Sequence, residues 1–218
     1  MIRQALAELG FIVITVDGRG TPGRSRSFHY NTDQSLLGDA GHLDDHIAAI
    51  QELGKTRPWM DLDKVGIYGH SGGGYASTHA LLEYPDFFKV AVSSAGNHEQ
   101  RAYLPVWGEN YLGEEKGENY SLASNPDLAA KLRGKLLIVV TDMDDNVHPA
   151  QSYQLIDALI KANRDFDMLS LPNANHGLMS LTNAESPYFL RRRWDYFVVN
   201  LMGATTPKGY EITGPKNP

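Results

Sequence analysis

Short runs of apolar and β-branched residues recur along this chain of 218 residues, separated by longer stretches whose apolar positions fall three or four apart. The first pattern suits buried strands and the second suits amphipathic helices. Strands are predicted over residues 11–16, 65–68, 89–92, 136–140 and 166–171. Helices are predicted over residues 2–9, 39–53, 73–84, 150–162 and 186–201. Strand and helix alternate, the order that builds a parallel sheet through βαβ crossovers. Residues 94–133 break the rhythm, carrying Tyr103, Trp107, Tyr111 and Tyr120 among glycines and prolines, as a functional insertion would. The last segment, 204–218, is rich in Pro, Gly and Thr and reads as an irregular tail.

Composition narrows the class without naming it. With 42% hydrophobic and 21% charged residues the chain is globular, and its length suits one domain, residues 1–203. A net charge of −6 gives no basic field for nucleic acid or an anionic membrane. The absence of cysteine removes disulfides, thiolate metal sites and a cysteine nucleophile together. The opening residues do not read as a signal peptide and no run approaches the length of a membrane span, so the chain reads as soluble, with its compartment undetermined.

Chemistry enters at Gly69-His70-Ser71-Gly72-Gly73, which follows the strand over 65–68 and precedes a helix. Strand, G-x-S-x-G, helix is the nucleophile elbow of α/β-hydrolases: the tight turn strains the serine and exposes its hydroxyl, with glycines two before and two after it where neighbouring chain leaves no room for a Cβ. The N–H of Gly72, at the helix start, is placed to stabilise an oxyanion. A glycine-rich turn after a strand can also hold phosphate, but the lysine of a P-loop is missing.

Serine is a poor nucleophile alone, so it needs a base, and the base needs a carboxylate. This fold orders them serine, acid, histidine. Thr141-Asp142-Met143-Asp144-Asp145-Asn146 follows the strand over 136–140, and His176 lies in the turn after the strand over 166–171. Spacing favours Asp144 as the acid and leaves Asp142 and Asp145 open.

At these residues the sequence resembles the catalytic domain of the prolyl oligopeptidase family, most of all its dipeptidyl peptidase IV branch. The matching stretches are Val16-Asp17-Gly18-Arg19-Gly20-Thr21, Gly69-His70-Ser71-Gly72-Gly73-Gly74-Tyr75, Asp144-Asp145-Asn146-Val147-His148 and His176-Gly177, within residues 11–202. The resemblance implies that Asp144 is the acid and that Asn146 and Val147 line the pocket for the residue before the cleaved bond. Tyr103, Trp107 and Tyr111 are the aromatic candidates for that pocket, although core packing of the insertion would account for them equally. Two departures stand out. Thr141 replaces a glycine, and Gly72 replaces a large aromatic, which should widen or reshape the pocket. The family also places strands and a propeller domain before this region, with a second oxyanion donor, a tyrosine, upstream; none of these is in the sequence.

The expectation is therefore an α/β fold of the α/β-hydrolase type lacking its first strands, and a serine hydrolase needing no cofactor or metal. Peptide bonds are the expected substrate, with small acyl esters as the alternative and a catalytically silent interaction domain as the rival from another class. A homo-oligomer or a preceding propeller domain are the protein partners left open. His42 and His46 sit one helical turn apart but lack the glutamate of a zinc protease, the 142–146 turn lacks the glycine and glutamate of a calcium loop, and Arg191-Arg192-Arg193 reads as a charged helix face.

Overall fold

The computed structural model describes residues 2–29, 40, 42–179 and 186–212. In chain order its elements are α1 (Ile2–Glu8), α2 (Arg26–His29), α3 (Leu43–Lys55), β1 (Val65–His70), α4 (Gly72–Glu83), β2 (Phe88–Ser94), α5 (Pro105–Leu112), α6 (Asn119–Leu122), α7 (Asn125–Leu128), β3 (Lys135–Thr141), α8 (Ala150–Lys161), β4 (Asp167–Leu171) and α9 (Pro187–Phe197). A wider π-type turn, Val198–Met202, continues α9. The predicted start of α3 at residue 39 lies outside the described residues.

The four strands form one sheet in the order β1-β2-β3-β4, every neighbouring pair parallel. Register is set by apolar cross-strand neighbours such as Val92 beside Leu137 and Val139 beside Leu169. β3 shows how the sheet acquires two buried faces: Leu136, Ile138 and Val140 join the core with Leu81 of α4 and Leu155 and Leu159 of α8, while Leu137 and Val139 join Phe189 and Phe197 of α9. Side chains alternate across a strand, so a run apolar at every position is the signature of a strand covered on both sides.

Residues 11–16 depart from prediction. The run carries no regular structure and joins no ladder among the described residues. A strand exists only with a hydrogen-bonded neighbour, and β-branched composition alone cannot supply one. Phe11 is nonetheless anchored, its ring edge-on to Phe197 at 6.3 Å, while Ile12 is 51% exposed.

The insertion between β2 and β3 contains α5, α6 and α7 with two short 3-10 turns, Gln100–Ala102 and Ala129–Lys131. Residues 204–212 carry no regular element and are pinned by Tyr210, whose carbonyl accepts from Arg191 Nη1 at 2.8 Å and whose hydroxyl donates to Asp195 at 2.9 Å. No helix among the described residues is long and apolar enough to cross a membrane.

Candidate active site

β1 ends at His70 and the chain turns sharply into α4. Ser71 holds the turn with φ 58° and ψ −124°, a region a residue with a Cβ adopts only under strain. The strain is held from both sides: Ser71 N–H donates to the carbonyl of Ser94 at the end of β2 at 2.9 Å, and its carbonyl accepts from Tyr75 N–H at 3.0 Å. Gly69 faces the carbonyl of Gly73 so closely that no Cβ would fit. The second crowded glycine is Gly74 rather than Gly73: a Cβ there would lie 2.5 Å from Ser94 O, whereas nothing lies within 4 Å of one on Gly73. The N–H of Gly72 opens α4, where helical geometry offers it no carbonyl partner.

The turns after β3 and β4 converge on this elbow. His176 Nε2 lies 3.0 Å from Ser71 Oγ, and His176 Nδ1 lies 2.9 Å from Asp144 Oδ2. With the carboxylate ionised, Nδ1–H donates to it and Nε2 is left to accept from the serine hydroxyl. Asp144 is the buried member of its acidic turn, its side chain 0% exposed, whereas Asp142 and Asp145 face solvent. Its Oδ1 accepts from the N–H groups of Asn146 (3.0 Å) and Val147 (2.8 Å), and its Oδ2 also accepts from Thr141 Oγ at 2.8 Å. Burial pushes this carboxyl up, but the hydrogen bonds from His176, Thr141, Asn146 and Val147 more than offset it, holding it below the ordinary carboxylate range.

His70 is a neighbour that motif reasoning passed over, since it occupies a variable position of the elbow. Its ring packs on that of His176, centroids 4.7 Å apart, and it hydrogen-bonds the backbone of His176. Its Nδ1 lies 3.3 Å from Ser94 Oγ. Burial, and then repulsion from His176, hold His70 down to about 4, so it is neutral at physiological pH.

Comparison with known proteins places this geometry in a family. The profile of the prolyl oligopeptidase family matches residues 1–204, nearly the whole chain. The chain belongs to the prolyl oligopeptidase family. Among family relatives, mouse dipeptidyl peptidase 8 is 32% identical over 178 residues, 79% of this chain and 20% of the relative. Dipeptidyl peptidase family member 1 of Caenorhabditis elegans is 32% identical over 191 residues, 83% of this chain and 23% of the relative. The solved structure of Porphyromonas gingivalis dipeptidyl peptidase 4 superposes with a TM-score of 0.74 at 31% identity, over 85% of this chain and 26% of that one. The chain thus spans about a fifth to a quarter of the length of these family members.

The expected departures from the family pattern acquire physical content here. Thr141 places a hydroxyl on the buried carboxylate of Asp144. Gly72 does not leave an empty space, because Trp107 of α5 is seated over it, Cζ2 3.3 Å from where a Cβ would be. Of the pocket candidates, Tyr103 and Asn146 meet directly, the phenol donating to Asn146 Oδ1 at 2.6 Å. Trp107 stands between Tyr103 (centroids 6.2 Å apart) and Tyr111 (4.7 Å). Trp107 and Tyr111 both pack against the main core. Val147 is 2% exposed and is tied into the site through its N–H on Asp144.

A buried polar clamp, absent from the sequence reading, fixes the segment that carries Tyr103. Gln151 in the first turn of α8 accepts from Glu99 N–H (2.8 Å) and donates to the carbonyls of Glu99 (3.1 Å) and Ala102 (2.8 Å). Glu99 itself is held by Arg101 and by Ser124 Oγ at 2.8 Å. Gln151 is buried, and nothing in the sequence around it marks that burial.

Proposed function

We propose that this chain is the catalytic part of a serine peptidase that cleaves peptide bonds through an acyl-enzyme on Ser71. The carrying observation is the unbroken hydrogen-bond chain from Ser71 Oγ through His176 to the fully buried carboxylate of Asp144. In this reading His176 Nε2 takes the Ser71 proton as Oγ attacks the carbonyl carbon. Asp144 stabilises the imidazolium, and the N–H of Gly72 receives the oxyanion. His176 then returns the proton to the leaving amine, and water repeats the sequence to release the acyl group.

Peptide rather than ester chemistry is favoured by the relatives, each a dipeptidyl peptidase by name. The aromatic wall of Tyr103 and Trp107, with Asn146, would receive the residue before the cleaved bond, while Val147 is buried and would act from beneath that surface. Residues 1–203 make up the catalytic domain in this reading and 204–218 its tail.

A fluorophosphonate probe tests the chemistry. Wild-type protein is expected to be labelled, and Ser71→Ala to abolish labelling without changing the fold; a well-folded wild type that resists the probe would sink the reading. Hydrolysis of a proline-containing peptide amide against a short acyl ester then separates peptidase from esterase.

A further inference from the structure

Asp144 is held by one donor that no catalytic motif includes. We infer that Thr141 is a positioning residue, whose hydroxyl fixes the Asp144 carboxylate in the orientation and charge that His176 requires. The inference rests on the serine hydrolase reading above.

A carboxylate offers about four lone-pair positions, and those of Asp144 are filled: Asn146 and Val147 N–H on Oδ1, Thr141 and His176 on Oδ2. The Thr141 bond has a fixed direction, because an ionised carboxylate can only accept and the hydroxyl must donate. It lands on the oxygen that also holds His176 Nδ1. Rotation about the Asp144 Cβ–Cγ bond would break both bonds together, so the hydroxyl locks the oxygen facing the imidazole. Donation also favours the charged carboxylate, which discourages the Nδ1 proton from crossing to Asp144.

Thr141 can do this because it is the last residue of β3, paired beside Leu171 of β4 and 2% exposed. No solvent competes for its hydroxyl, and the strand fixes its Cα. Beyond its direct donors, Asp144 acts electrostatically on His70 and Tyr103; Asp142 and Asp145 are the charged neighbours on its own turn.

The test compares wild type with Thr141→Val, which keeps the shape and removes the hydroxyl, and Thr141→Ser, which keeps the hydroxyl. Each is followed by the rate of fluorophosphonate labelling and by carbon NMR titration of the Asp144 carboxyl, assigned with Asp144→Asn. Thr141→Val is expected to label about tenfold more slowly, the scale of a lost hydrogen bond to a charged group. Its Asp144 is expected to titrate at higher pH, and Thr141→Ser is expected to match wild type in both. A Thr141→Val protein that labels at the wild-type rate overturns the inference, as does a Thr141→Ser protein as slow as the valine variant. If folded wild type is not labelled at all, the hydrolase reading fails instead. The titration then decides alone: an Asp144 midpoint unmoved by valine overturns the role of Thr141, and an upward shift supports it.

Discussion

Trp107 occupies the space that a side chain on Gly72 would need, its Cζ2 3.3 Å from the position of a Cβ. The two residues are therefore coupled, and a side chain at position 72 requires Trp107 to shift. Gly72→Tyr is expected to destabilise the protein by about 1–3 kcal/mol, the usual cost of overpacking. Trp107→Ala in that background should recover part of the loss. Urea midpoints of the two single variants and the double variant measure the coupling; strict additivity would show that the indole does not guard this space.

Acid sensitivity should carry the signature of Asp144. Its carboxyl lies below the ordinary 3.8, so the ionised group stabilises the fold above that value, and the contribution is lost as pH falls through the folded value. The stability difference between wild type and Asp144→Asn should stay flat from neutral pH to about 5 and shrink below about 4. Denaturant melts across this range check the sign; a difference that grew on acidification would contradict it.

His70 should act in a higher window and with the sign proper to a base. Its value is lowered from 6.5 to about 4, so between these two values the unfolded chain binds a proton that the folded chain refuses. The His70 contribution to stability should therefore fall as pH drops through that interval and level off below it. His98, fully buried and held down to about 3, adds a slope of the same sign. His70→Phe keeps a ring against His176 and should remove the His70 share of the slope, measured as the change in urea midpoint between neutral pH and the lower bound.

Gln151 is expected to matter out of proportion to its distance from the serine. Gln151→Leu would leave the Glu99 N–H and two carbonyls without their buried partner, at about 1–3 kcal/mol for each group stranded. The segment carrying Tyr103 should loosen with it. The expected kinetic outcome is a raised KM for a peptide substrate with a smaller change in kcat. A change confined to kcat would show that the clamp serves the triad rather than the pocket.

Much of this site could be read from the chain because its chemistry is tied to strand ends. Ser71, Asp144 and His176 each follow a recognisable apolar run, and order along the sequence is enough to assemble them at one sheet edge. Burial distinguishes Asp144 from Asp142 and Asp145, and burial is invisible to spacing; motif resemblance supplied the choice instead. Thr141 and Gln151 escaped because hydroxyl and amide donors act through geometry, and neither has a residue-type signature. Residues 11–16 failed as a strand for the converse reason, since their composition describes a preference and a ladder needs a second party. Gly73 and Gly74 exchanged roles because which of two adjacent glycines meets Ser94 O depends on the angle at which α4 leaves the turn.

The three turns that supply Ser71, Asp144 and His176 follow β1, β3 and β4, and β1 and β4 are the outermost strands of the sheet among the described residues. The 3.0 Å separation of Ser71 and His176 therefore exists only when every strand between those two is seated in register. Nucleophilicity is thus an all-or-none witness to assembly. During refolding, the capacity of Ser71 to capture an active-site probe should appear last, in step with completion of the whole sheet and after helical signal has returned, so that one covalent reaction serves as a stopwatch for the final folding event.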